Sequence, residues 1–382
     1  MKKSVYYWSP CLTKVGTVKS TLNSAISLAK YSKLYNVKIL NVFGEWNNYK
    51  KILKENDVVV EDLTFNYYNF LPKNGFISSR ISYTLIILIS FIPLMFFFKK
   101  RKPDFFIIHL LTSLPLILIN LFNLKTNMIL RISGYPRLNF LRKKLWVFSE
   151  KKLFHITCPS LDLKKSLIEN KIFKDKKLAL LYDAILNIKD FINKKKYLNL
   201  NDKLDKSFFL AIGRLTKQKN YIYLINEFEK LLKKYPNEKL IIIGEGELKK
   251  KIENTITKKN LSENITLYDY TDNVYSYMKK SKAFVLSSLW EEIGFVIVEA
   301  AFCNTAIISS NCMNGPKEFL LNGKAGLIFE NNRKDELFKK LVEFKKLEKE
   351  EISKKRLLAK KNSKNFTMFR HYLGLSQIIQ NN

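Results

Sequence analysis

The chain has 382 residues, enough for two domains of ordinary size, and 47% of them are hydrophobic, which is enough for packed cores. The formal net charge is +33, because 67 Lys and Arg stand against 34 Asp and Glu. This charge favours acidic partners such as phosphorylated substrates, an anionic membrane face or nucleic acid. Much of the excess is Lys dispersed among Asn, Ile, Phe and Tyr, which an AT-rich genome would also produce, so the total charge is a weak functional signal.

The chain has four cysteines, Cys11, Cys158, Cys303 and Cys312. None forms a Cys-x-x-Cys pair, and no His lies at metal-ligand spacing from one of them. This usage favours a reduced cytosolic compartment over a disulfide framework or a zinc site. The first ten residues are too short and too polar a segment for a signal peptide. The sequence therefore predicts a cytoplasmic protein.

The first elements predict a strand–helix–strand unit. Ser4–Trp8 and Val37–Phe43 are apolar runs typical of buried parallel strands, and apolar residues recur at helical spacing from Val18 to Tyr31. A turn that contains Gly16 precedes the helix. Such a turn suits the approach of a phosphate, but a plain helix-start glycine fits equally well.

Residues 81–98 carry no charge, and residues 99–102 are all basic. As a helix, this stretch would be roughly 27 Å long at about 1.5 Å per residue, the lower limit for a membrane span, and Pro93 interrupts it. Three interpretations stay open: a buried or half-buried helix of the first domain, an in-plane membrane contact with the basic run at the headgroups, or a span. The strand predicted at Asp104–His109 argues against a span, which would place parts of one sheet on opposite sides of a bilayer. Phe105–Phe122 is also very apolar, so a membrane-inserted pair is a further alternative.

Three more strands are predicted in the first half of the chain, at Asn127–Ile132, Phe154–Cys158 and Leu178–Leu181. A basic amphipathic helix is predicted at Leu141–Leu153. The polar, Lys-rich stretch 187–206 predicts an interdomain connection.

Two predicted strands of the second half end in glycine turns. One is followed by Gly213 and Arg214, with Lys219 five residues after the arginine. The other, Leu240–Ile243, is followed by a Gly-x-Gly turn that begins at Gly244. A guanidinium and an ammonium group stabilise the negative charge of a departing diphosphate. In so basic a chain, a solvated basic face is the alternative.

A third strand, Ala283–Leu286, leads into a loop with Glu291 and Gly294 and then into an apolar helix that contains Glu299. A strand that ends in a loop and opens a helix presents backbone N–H groups and a partial positive charge, which suits a diphosphate. Glu299 could accept hydroxyl hydrogen bonds from a ribose, and Glu291 could accept them from a sugar ring. The alternative is an ordinary strand–loop–helix with a surface carboxylate pair.

These motifs together resemble the family-4 retaining glycosyltransferases of the bacterial surface-polysaccharide type. The resemblance lies in Ser-x-x-Trp-Glu-x-x-Gly-Phe-x-x-x-Glu-Ala at 287–300, in Gly-Arg-Leu with its lysine, in the Gly-x-Gly turn, and in Pro103-Asp104 leading to His109. It is dense over 207–330 and sparse over 1–186. Ile107 and Ile293 depart from the family pattern, which expects a histidine and an aromatic residue there.

The resemblance implies the GT-B fold, an α/β architecture of two Rossmann-like domains that face each other across a cleft. The expected division is an acceptor-side domain at 1–187, a linker at 188–206 and a nucleotide-sugar-binding domain at 207–365. The segment 366–382 is expected to be a helix that crosses back to the first domain.

The resemblance also implies roles for individual residues. Glu291 would hold the donor sugar, Glu299 the ribose, and His109 would lie near the transferred sugar, while Arg214 and Lys219 would stabilise the leaving diphosphate. The other residues expected to lie beside the nucleotide sugar are Gly16, Gly213, Gly244, Gly294 and Phe295.

The expected reaction moves a hexose or N-acetylhexosamine from a nucleotide sugar, UDP-linked by expectation, to a lipid-linked or surface glycan, as in lipopolysaccharide or polysaccharide biosynthesis. No Asp-x-Asp occurs in the chain, so a metal-independent transfer without a cofactor is expected. The resemblance implies that the transfer retains the anomeric configuration. The expected location is the cytoplasmic face of the membrane. An anionic membrane surface is expected as a partner, and nucleic acid is not. One alternative is a sugar-nucleotide epimerase, but the chain has only three histidines to serve as acid or base residues, which argues against it. The other is a non-enzymatic basic module that binds membrane or nucleic acid.

Overall fold

The computed structural model describes residues 2–12, 16–72, 76–134, 136, 139–196, 208–313 and 315–380. The chain divides into two compact units. Unit 1 comprises Met1–Ile185 and Met368–Asn382, and unit 2 comprises Leu186–Thr367.

Unit 1 is built on a seven-stranded parallel sheet with the order β3-β2-β1-β4-β5-β6-β7. Its strands are β1 (Lys3–Trp8), β2 (Tyr35–Asn41), β3 (Val59–Asp62), β4 (Phe105–Ile108), β5 (Asn127–Arg131), β6 (His155–Cys158) and β7 (Leu178–Leu180). Central strands such as β4 are buried along their whole length, which explains why they appear as continuous apolar runs and not as alternating patterns.

Helices cover both faces of this sheet. They are α1 (Gly16–Tyr31), α2 (Lys50–Lys54), α3 (Phe76–Arg101), α4 (Ser113–Leu121), α5 (Phe140–Ser149), α6 (Leu161–Glu169) and, from the end of the chain, α15 (Met368–Gln380). Side chains of α3, α4, α5 and α6 share one apolar cluster on one face. Side chains of α1 and α15 share the cluster on the other face.

Unit 2 is built on a six-stranded parallel sheet with the order β10-β9-β8-β11-β12-β13. Its strands are β8 (Phe208–Ile212), β9 (Lys239–Ile243), β10 (Ile265–Tyr268), β11 (Ala283–Leu286), β12 (Ala306–Ser310) and β13 (Leu327–Phe329). Its helices are α7 (Ile188–Lys196), α8 (Tyr221–Lys234), α9 (Lys249–Lys258), α10 (Tyr275–Lys280), α11 (Phe295–Phe302), α12 (Pro316–Phe319), α13 (Glu336–Lys346) and α14 (Lys349–Ser363). In both units, β-strands alternate with helices as in a Rossmann fold.

The predicted linker is wrong over its first half. Ile188–Lys196 forms α7, and the ring of Phe191 packs edge-on against Tyr275 and Phe302, at centroid distances of 5.0 and 4.8 Å. The apolar residues of α7 recur at helical spacing, and the lysines around them hid this pattern. The rest of the predicted linker, 197–206, lies outside the described residues.

The apolar stretch 81–98 lies within α3, which continues through Pro93 without ending. Ser78–Arg101 is, among the described residues, a helix long and apolar enough to cross a membrane, with a mean hydropathy of 2.3. One side of α3 nevertheless packs onto the sheet through Ile86 and Leu94, and β4 follows it directly to pair with β1. This arrangement is a half-buried crossover helix and does not fit a span.

The C-terminal helix α15 is anchored to unit 1 by a buried histidine. His371 Nδ1 lies 2.6 Å from the backbone oxygen of Tyr182, so Nδ1 carries the proton and donates it. The hydroxyl of Ser24 on α1 then donates to Nε2 at 2.7 Å. Burial, followed by the charge of Arg131, lowers the pKa of His371 to about 4, which keeps the ring neutral and both hydrogen bonds formed.

The free energy of unfolding should fall as the pH drops below about 6.5, the pKa of an unfolded histidine. The folded-state pKa of His371 is about 4, so between these values the unfolded chain binds a proton that the folded chain excludes. His371→Gln should remove up to about 1.4 kcal/mol of this loss for each pH unit. Urea unfolding of both proteins at about pH 7 and about pH 5.5 measures the two slopes.

Two other buried groups of unit 1 titrate in or near the same range. Burial, then Arg131, lowers the pKa of His109 to about 3, which acts in the same direction as His371. Burial raises the pKa of Glu45 to about 7, so its contribution to stability is lost as the pH rises and acts in the opposite direction. Both groups are present in the wild type and in His371→Gln, so the difference isolates His371. Equal pH slopes would contradict the assignment.

Candidate active site

The carboxyl ends of β8, β9 and β11 bring three loops to one edge of the unit 2 sheet, because these strands are parallel neighbours. Gly213, Arg214 and Leu215 follow β8, Gly244 follows β9, and the loop 287–294 follows β11. We call this the unit 2 edge.

The first two loops touch backbone to backbone. A Cβ atom on Gly244 would lie 2.0 Å from the backbone oxygen of Gly213, so only glycine fits at Gly244. The backbone N–H of Gly213 donates to Ile243 at 3.0 Å, and that of Leu215 donates to Glu245 at 2.7 Å. The turn that carries Arg214 is therefore held rigidly against the end of β9.

A short 3₁₀ helix, Lys217–Lys219, joins the β8 loop to the loop after β11. The backbone N–H of Leu289 donates to the oxygen of Gln218, and the Gln218 side chain donates to the oxygen of Trp290, each at 2.8 Å. Ser287 donates from its hydroxyl to the backbone oxygen of Lys219 at 2.8 Å. These bonds fix the positions of the two loops relative to each other.

Lys219 and Glu291 form an ion pair at the centre of the unit 2 edge. Both residues are buried, with 9% and 8% of their surface exposed. The Oε1 atom of Glu291 also accepts a hydrogen bond from the Ser288 hydroxyl at 2.8 Å, and Ser310 in turn donates to the Ser288 backbone oxygen at 2.7 Å. Glu291 is thus a fixed acceptor with a cation beside it.

Arg214 supplies a second positive charge that is open to solvent. Its Nη2 atom lies 3.5 Å from Gln218 Oε1. The Lys219 side chain folds back over the neighbouring Gly213, where a Cβ atom would lie 3.0 Å from Lys219 Cε. One buried and one exposed cation therefore flank the same turn.

Helix α11 begins directly after the Glu291 loop. Gly294 is its N-cap, with a φ of 81° that favours glycine, and the Cβ position of Gly294 lies 3.6 Å from Glu291 Oε2. Phe295 is the first helical residue and is half-buried. The partial positive charge of a helix N-terminus therefore lies beside the carboxylate.

Glu299 lies one turn further along α11 and is buried. Burial, followed by the charge of Glu299, raises the pKa of the Cys303 thiol to about 12. The same two causes raise the pKa of Tyr275 on α10. The Glu299 carboxylate is therefore close enough to Cys303 and to Tyr275 on α10 to oppose their ionisation.

His109 and Gly16 belong to unit 1, at the carboxyl edge of its sheet. His109 directly follows β4, is 4% exposed, and donates from its backbone N–H to Trp8 at 2.9 Å. Its Nδ1 atom has no hydrogen-bond partner among the residues that the structure describes. Burial, then Arg131, lowers the pKa of His109 to about 3, so its ring is neutral at physiological pH. Gly16 is the exposed first residue of α1, and residues 13–15 before it lie outside the described chain.

Sequence reasoning missed the buried ion pair between Arg131 and Asp183, which lies at the carboxyl edge of the unit 1 sheet, where β5 ends. Arg131 Nη2 lies 2.6 Å from Asp183 Oδ1, which also accepts from the Ser20 hydroxyl at 2.6 Å, and Arg131 Nη1 donates to the Leu181 oxygen at 2.5 Å. Although burial opposes it, the charge of Arg131 holds the pKa of Asp183 below its ordinary range. An arginine that ends the apolar run Met-Ile-Leu-Arg was the available signal, because such a position needs a buried anion.

Sequence reasoning also did not identify Glu45 as a buried carboxyl group with a raised pKa. It lies in the loop after β2, is buried, and accepts from the backbone N–H groups of Val42 and Phe43 at 2.9–3.1 Å. Burial raises its pKa to about 7 despite these bonds. It caps its own loop, and no local pattern distinguishes it from an exposed glutamate.

Comparison with known proteins shows a family match over unit 2. Residues 193–366 match the family described as glycosyl transferases group 1. This match covers almost all of unit 2 and leaves unit 1 outside it. The matched residues include the whole unit 2 edge, with Arg214, Lys219, Glu291 and Glu299, so the expected resemblance to glycosyltransferases is confirmed for unit 2.

Two relatives extend the comparison along the chain. An uncharacterized glycosyltransferase of Methanocaldococcus jannaschii is 34% identical over 241 residues, which cover 58% of this chain and 59% of that protein. The N-acetylgalactosamine-N,N'-diacetylbacillosaminyl-diphospho-undecaprenol 4-alpha-N-acetylgalactosaminyltransferase of Campylobacter jejuni is 28% identical over 251 residues, which cover 63% of this chain and 67% of that protein. The chain therefore spans about three fifths of the first relative and two thirds of the second.

A solved structure covers the full length. The crystal structure of HepE from Anabaena in complex with UDP and glucose has a TM-score of 0.72 at 14% identity, and the match covers 100% of both chains. At this identity the similarity concerns the fold. It confirms the expected α/β class, with two Rossmann-like domains of the GT-B type.

Removing one partner of the ion pair at the unit 2 edge should destabilise unit 2 strongly, because the other charge is then left buried alone. Lys219→Met leaves the Glu291 carboxylate buried without its cation and should lower the free energy of unfolding by about 3 kcal/mol. The double variant Lys219→Met with Glu291→Gln should recover most of that loss, because it removes the isolated charge. Urea unfolding followed by circular dichroism measures both values.

Lys217 provides the control for this comparison. It lies in the same 3₁₀ helix and is exposed. Lys217→Met should change the free energy of unfolding by less than about 0.5 kcal/mol. An equal effect of Lys217→Met and Lys219→Met would refute a special role for the buried pair.

Proposed function

We propose that the chain is a retaining, metal-independent glycosyltransferase that moves a hexose or N-acetylhexosamine from a UDP-linked sugar. The acceptor is a lipid-linked or cell-surface glycan at the cytoplasmic membrane face. The observation that carries this proposal is the joint position of Arg214, Lys219, Glu291 and the start of α11 at one sheet edge of a glycosyl transferases group 1 domain.

The donor argument rests on charge. A nucleoside diphosphate is an anion, and the unit 2 edge offers a guanidinium, an ammonium group and a helix N-terminus at the same edge of one sheet. Glu299, on the second turn of α11, is proposed to accept hydrogen bonds from the ribose hydroxyls. UDP as the nucleotide is supported by HepE, whose crystal structure contains UDP and glucose.

The proposed chemistry concerns the leaving group. When the bond between the sugar and the diphosphate breaks, negative charge grows on the departing phosphate, and Arg214 and Lys219 stabilise it. The Glu291 carboxylate holds the Lys219 side chain in place through their ion pair, and it accepts hydrogen bonds from the sugar hydroxyls. These groups supply positive charge at the site where a divalent cation acts in other transferases, which is why we propose metal independence.

Retention of configuration is proposed from the family resemblance, through attack on the same face of the sugar from which the phosphate leaves. The departing phosphate then takes the acceptor proton, and no protein base is needed. A position of His109 near the transferred sugar is proposed from the family resemblance alone, since its Nδ1 atom is buried in unit 1.

The acceptor proposal is supported by the relative from Campylobacter jejuni. Its name describes transfer to a saccharide on diphospho-undecaprenol, a lipid carrier. A lipid-linked acceptor would place the reaction at the membrane face.

Nucleotide binding tests the donor site first. Isothermal titration of UDP, GDP and ADP without metal should give selective UDP binding, and Glu299→Gln should weaken it at least about tenfold, because one ribose acceptor group is lost. Glu350→Gln, at an exposed position on α14, is the matched control and should bind as the wild type does. Equal affinity of wild type and Glu299→Gln, or no nucleotide binding, would refute the site.

Arg214 should act mainly in the transition state. Arg214→Gln should lower kcat by about a hundredfold with little change in KM, because the charge that it stabilises develops as the bond breaks. The assay is UDP release from a panel of UDP-sugars with polyprenyl-diphosphate-linked saccharides as acceptors.

Two comparisons make this assay decisive. Lys258→Gln removes an exposed positive charge at the end of α9 and should leave kcat unchanged. UDP release must also depend on the acceptor, because release in its absence would favour hydrolysis, and interconversion of sugar nucleotides without release would favour an epimerase. A kcat of Arg214→Gln equal to that of the wild type would contradict the proposed role.

A further inference from the structure

Helix α3 has one buried side and one exposed side, and both are apolar. Ile86, Leu94 and Phe97 pack into the core of unit 1. The opposite side carries large apolar residues whose exposed fractions range from 40% to 67%. They are Ile81, Leu85, Leu88, Ile92 and Phe96.

These five residues are spaced three or four positions apart, so they form a single ridge along the helix. At about 1.5 Å per residue the ridge is roughly 22 Å long. A surface helix of a water-soluble domain normally carries polar residues on the side away from the core. A continuous exposed apolar ridge therefore calls for a covering partner.

The charges around α3 identify that partner's chemistry. Between residues 76 and 149 the sequence contains eleven Lys and Arg and a single acidic residue, Asp104. Two of the eleven are paired with carboxylates from elsewhere in unit 1, Arg131 with Asp183 and Arg101 with Glu61. Asp104 accepts from the backbone and hydroxyl of Ser4, at 2.7 and 2.8 Å, at the amino edge of the sheet. Lys99 and Lys100 are exposed at the C-terminal end of α3.

Helix α5 has the same combination of apolar and basic residues. Phe140, Leu141 and Phe148 are exposed by 67–74%. Lys143 is also exposed, and the Lys144 ammonium lies 4.3 Å from the centroid of the Phe140 ring. Apolar and basic residues mixed on the exposed side of a helix are typical of helices that lie in a membrane interface.

The exposed sides of α3 and α5 face the same way. Helix α4 contacts both α3 and α5. Trp146 of α5 and Leu94 of α3 belong to the same apolar cluster on one face of the sheet. Because both helices cover the same face, their outer sides point away from the sheet together and form one surface, which we call the α3–α5 surface.

We propose that the α3–α5 surface inserts into the headgroup region of an anionic lipid bilayer, with α3 lying in the plane of the membrane. The apolar ridge would enter the boundary of the acyl chains while the lysines contact anionic headgroups. A bilayer is favoured over a second copy of the chain, because two copies of so basic a surface would repel each other. This inference rests on the proposed function, because an acceptor carried by a lipid is available only at a membrane surface.

Co-sedimentation with lipid vesicles tests this proposal on the full-length protein. The wild type should bind vesicles of phosphatidylcholine with phosphatidylglycerol, and binding should weaken with salt and on vesicles of phosphatidylcholine alone. The double variant Leu88→Glu with Ile92→Glu should bind the anionic vesicles at least about tenfold less, because it places two carboxylates on the ridge.

A matched control separates the ridge from net charge. Leu34 and Leu357 are exposed by 59% and 60%, as is Ile92 with 59%, but lie outside the α3–α5 surface. Leu34→Glu with Leu357→Glu makes the same change in net charge and should bind vesicles as the wild type does. Equal loss of binding in the two double variants would overturn the proposal.

The lysines of α5 have their own variant and control. Lys143→Gln with Lys144→Gln should reduce binding to anionic vesicles, whereas Lys250→Gln with Lys251→Gln, at exposed positions near the start of α9, should not. No difference between these two variants would overturn the role of the basic residues.

Three further outcomes would overturn the proposal in favour of another occupant or mode. Absence of binding to anionic vesicles excludes the bilayer. If light scattering shows a dimer, if the double variant Leu88→Glu with Ile92→Glu is a monomer, and if the wild type does not bind vesicles, the surface belongs to a second copy of the chain. Resistance to alkaline carbonate extraction from membranes indicates a span. UDP affinity, measured by calorimetry on the same variants, should be unchanged, so failure of vesicle binding and failure of the donor site give different results.

Discussion

The buried ion pair between Lys219 and Glu291 determines how the unit 2 edge is built. It links a loop that leaves β8 with a loop that leaves the neighbouring strand β11. Neither charge could stay buried alone, so each loop constrains the other. The close approach of Gly244 to the Gly213 backbone fixes the same turn from the β9 side. The start of α11 and the exposed Arg214 take their positions from this arrangement, and with them the positive charge available to an anion.

Unit 1 uses the same principle with different residues. The Arg131–Asp183 pair lies at the end of β5, and a hydroxyl of α1 completes it through Ser20. His371 brings α15, the last helix of the chain, into contact with α1 through Ser24. In both units, buried charges or neutral rings at a sheet edge join segments that are distant in sequence, which local packing alone would not specify.

Local patterns in the sequence were sufficient for the buried strands and the glycine turns, because these depend on adjacent residues. They did not predict the edge strand β3, which has no fully buried residue and therefore no apolar run along its whole length. Local patterns were also insufficient for the partners of the site residues. Arg214, Lys219 and Glu291 were singled out one by one, but the pairing of Lys219 with Glu291 joins positions 72 residues apart. The lysines of 188–196 hid the apolar side of α7. Pro93 did not end α3, because tertiary packing on the sheet outweighs the local cost of proline.

The net charge is informative through its position and not through its size. A formal charge of +33 fits many partners and could arise from base composition. The fold concentrates part of it on one layer of unit 1, where the single acidic residue of 76–149 is held at the sheet's amino edge by Ser4. On that layer the lysines flank an apolar ridge whose other side, through Leu94, is committed to the protein core. A helix in this position is held to the sheet on one side, and the contact of its outer side with a bilayer, as proposed above, would give the position of these charges a specific meaning.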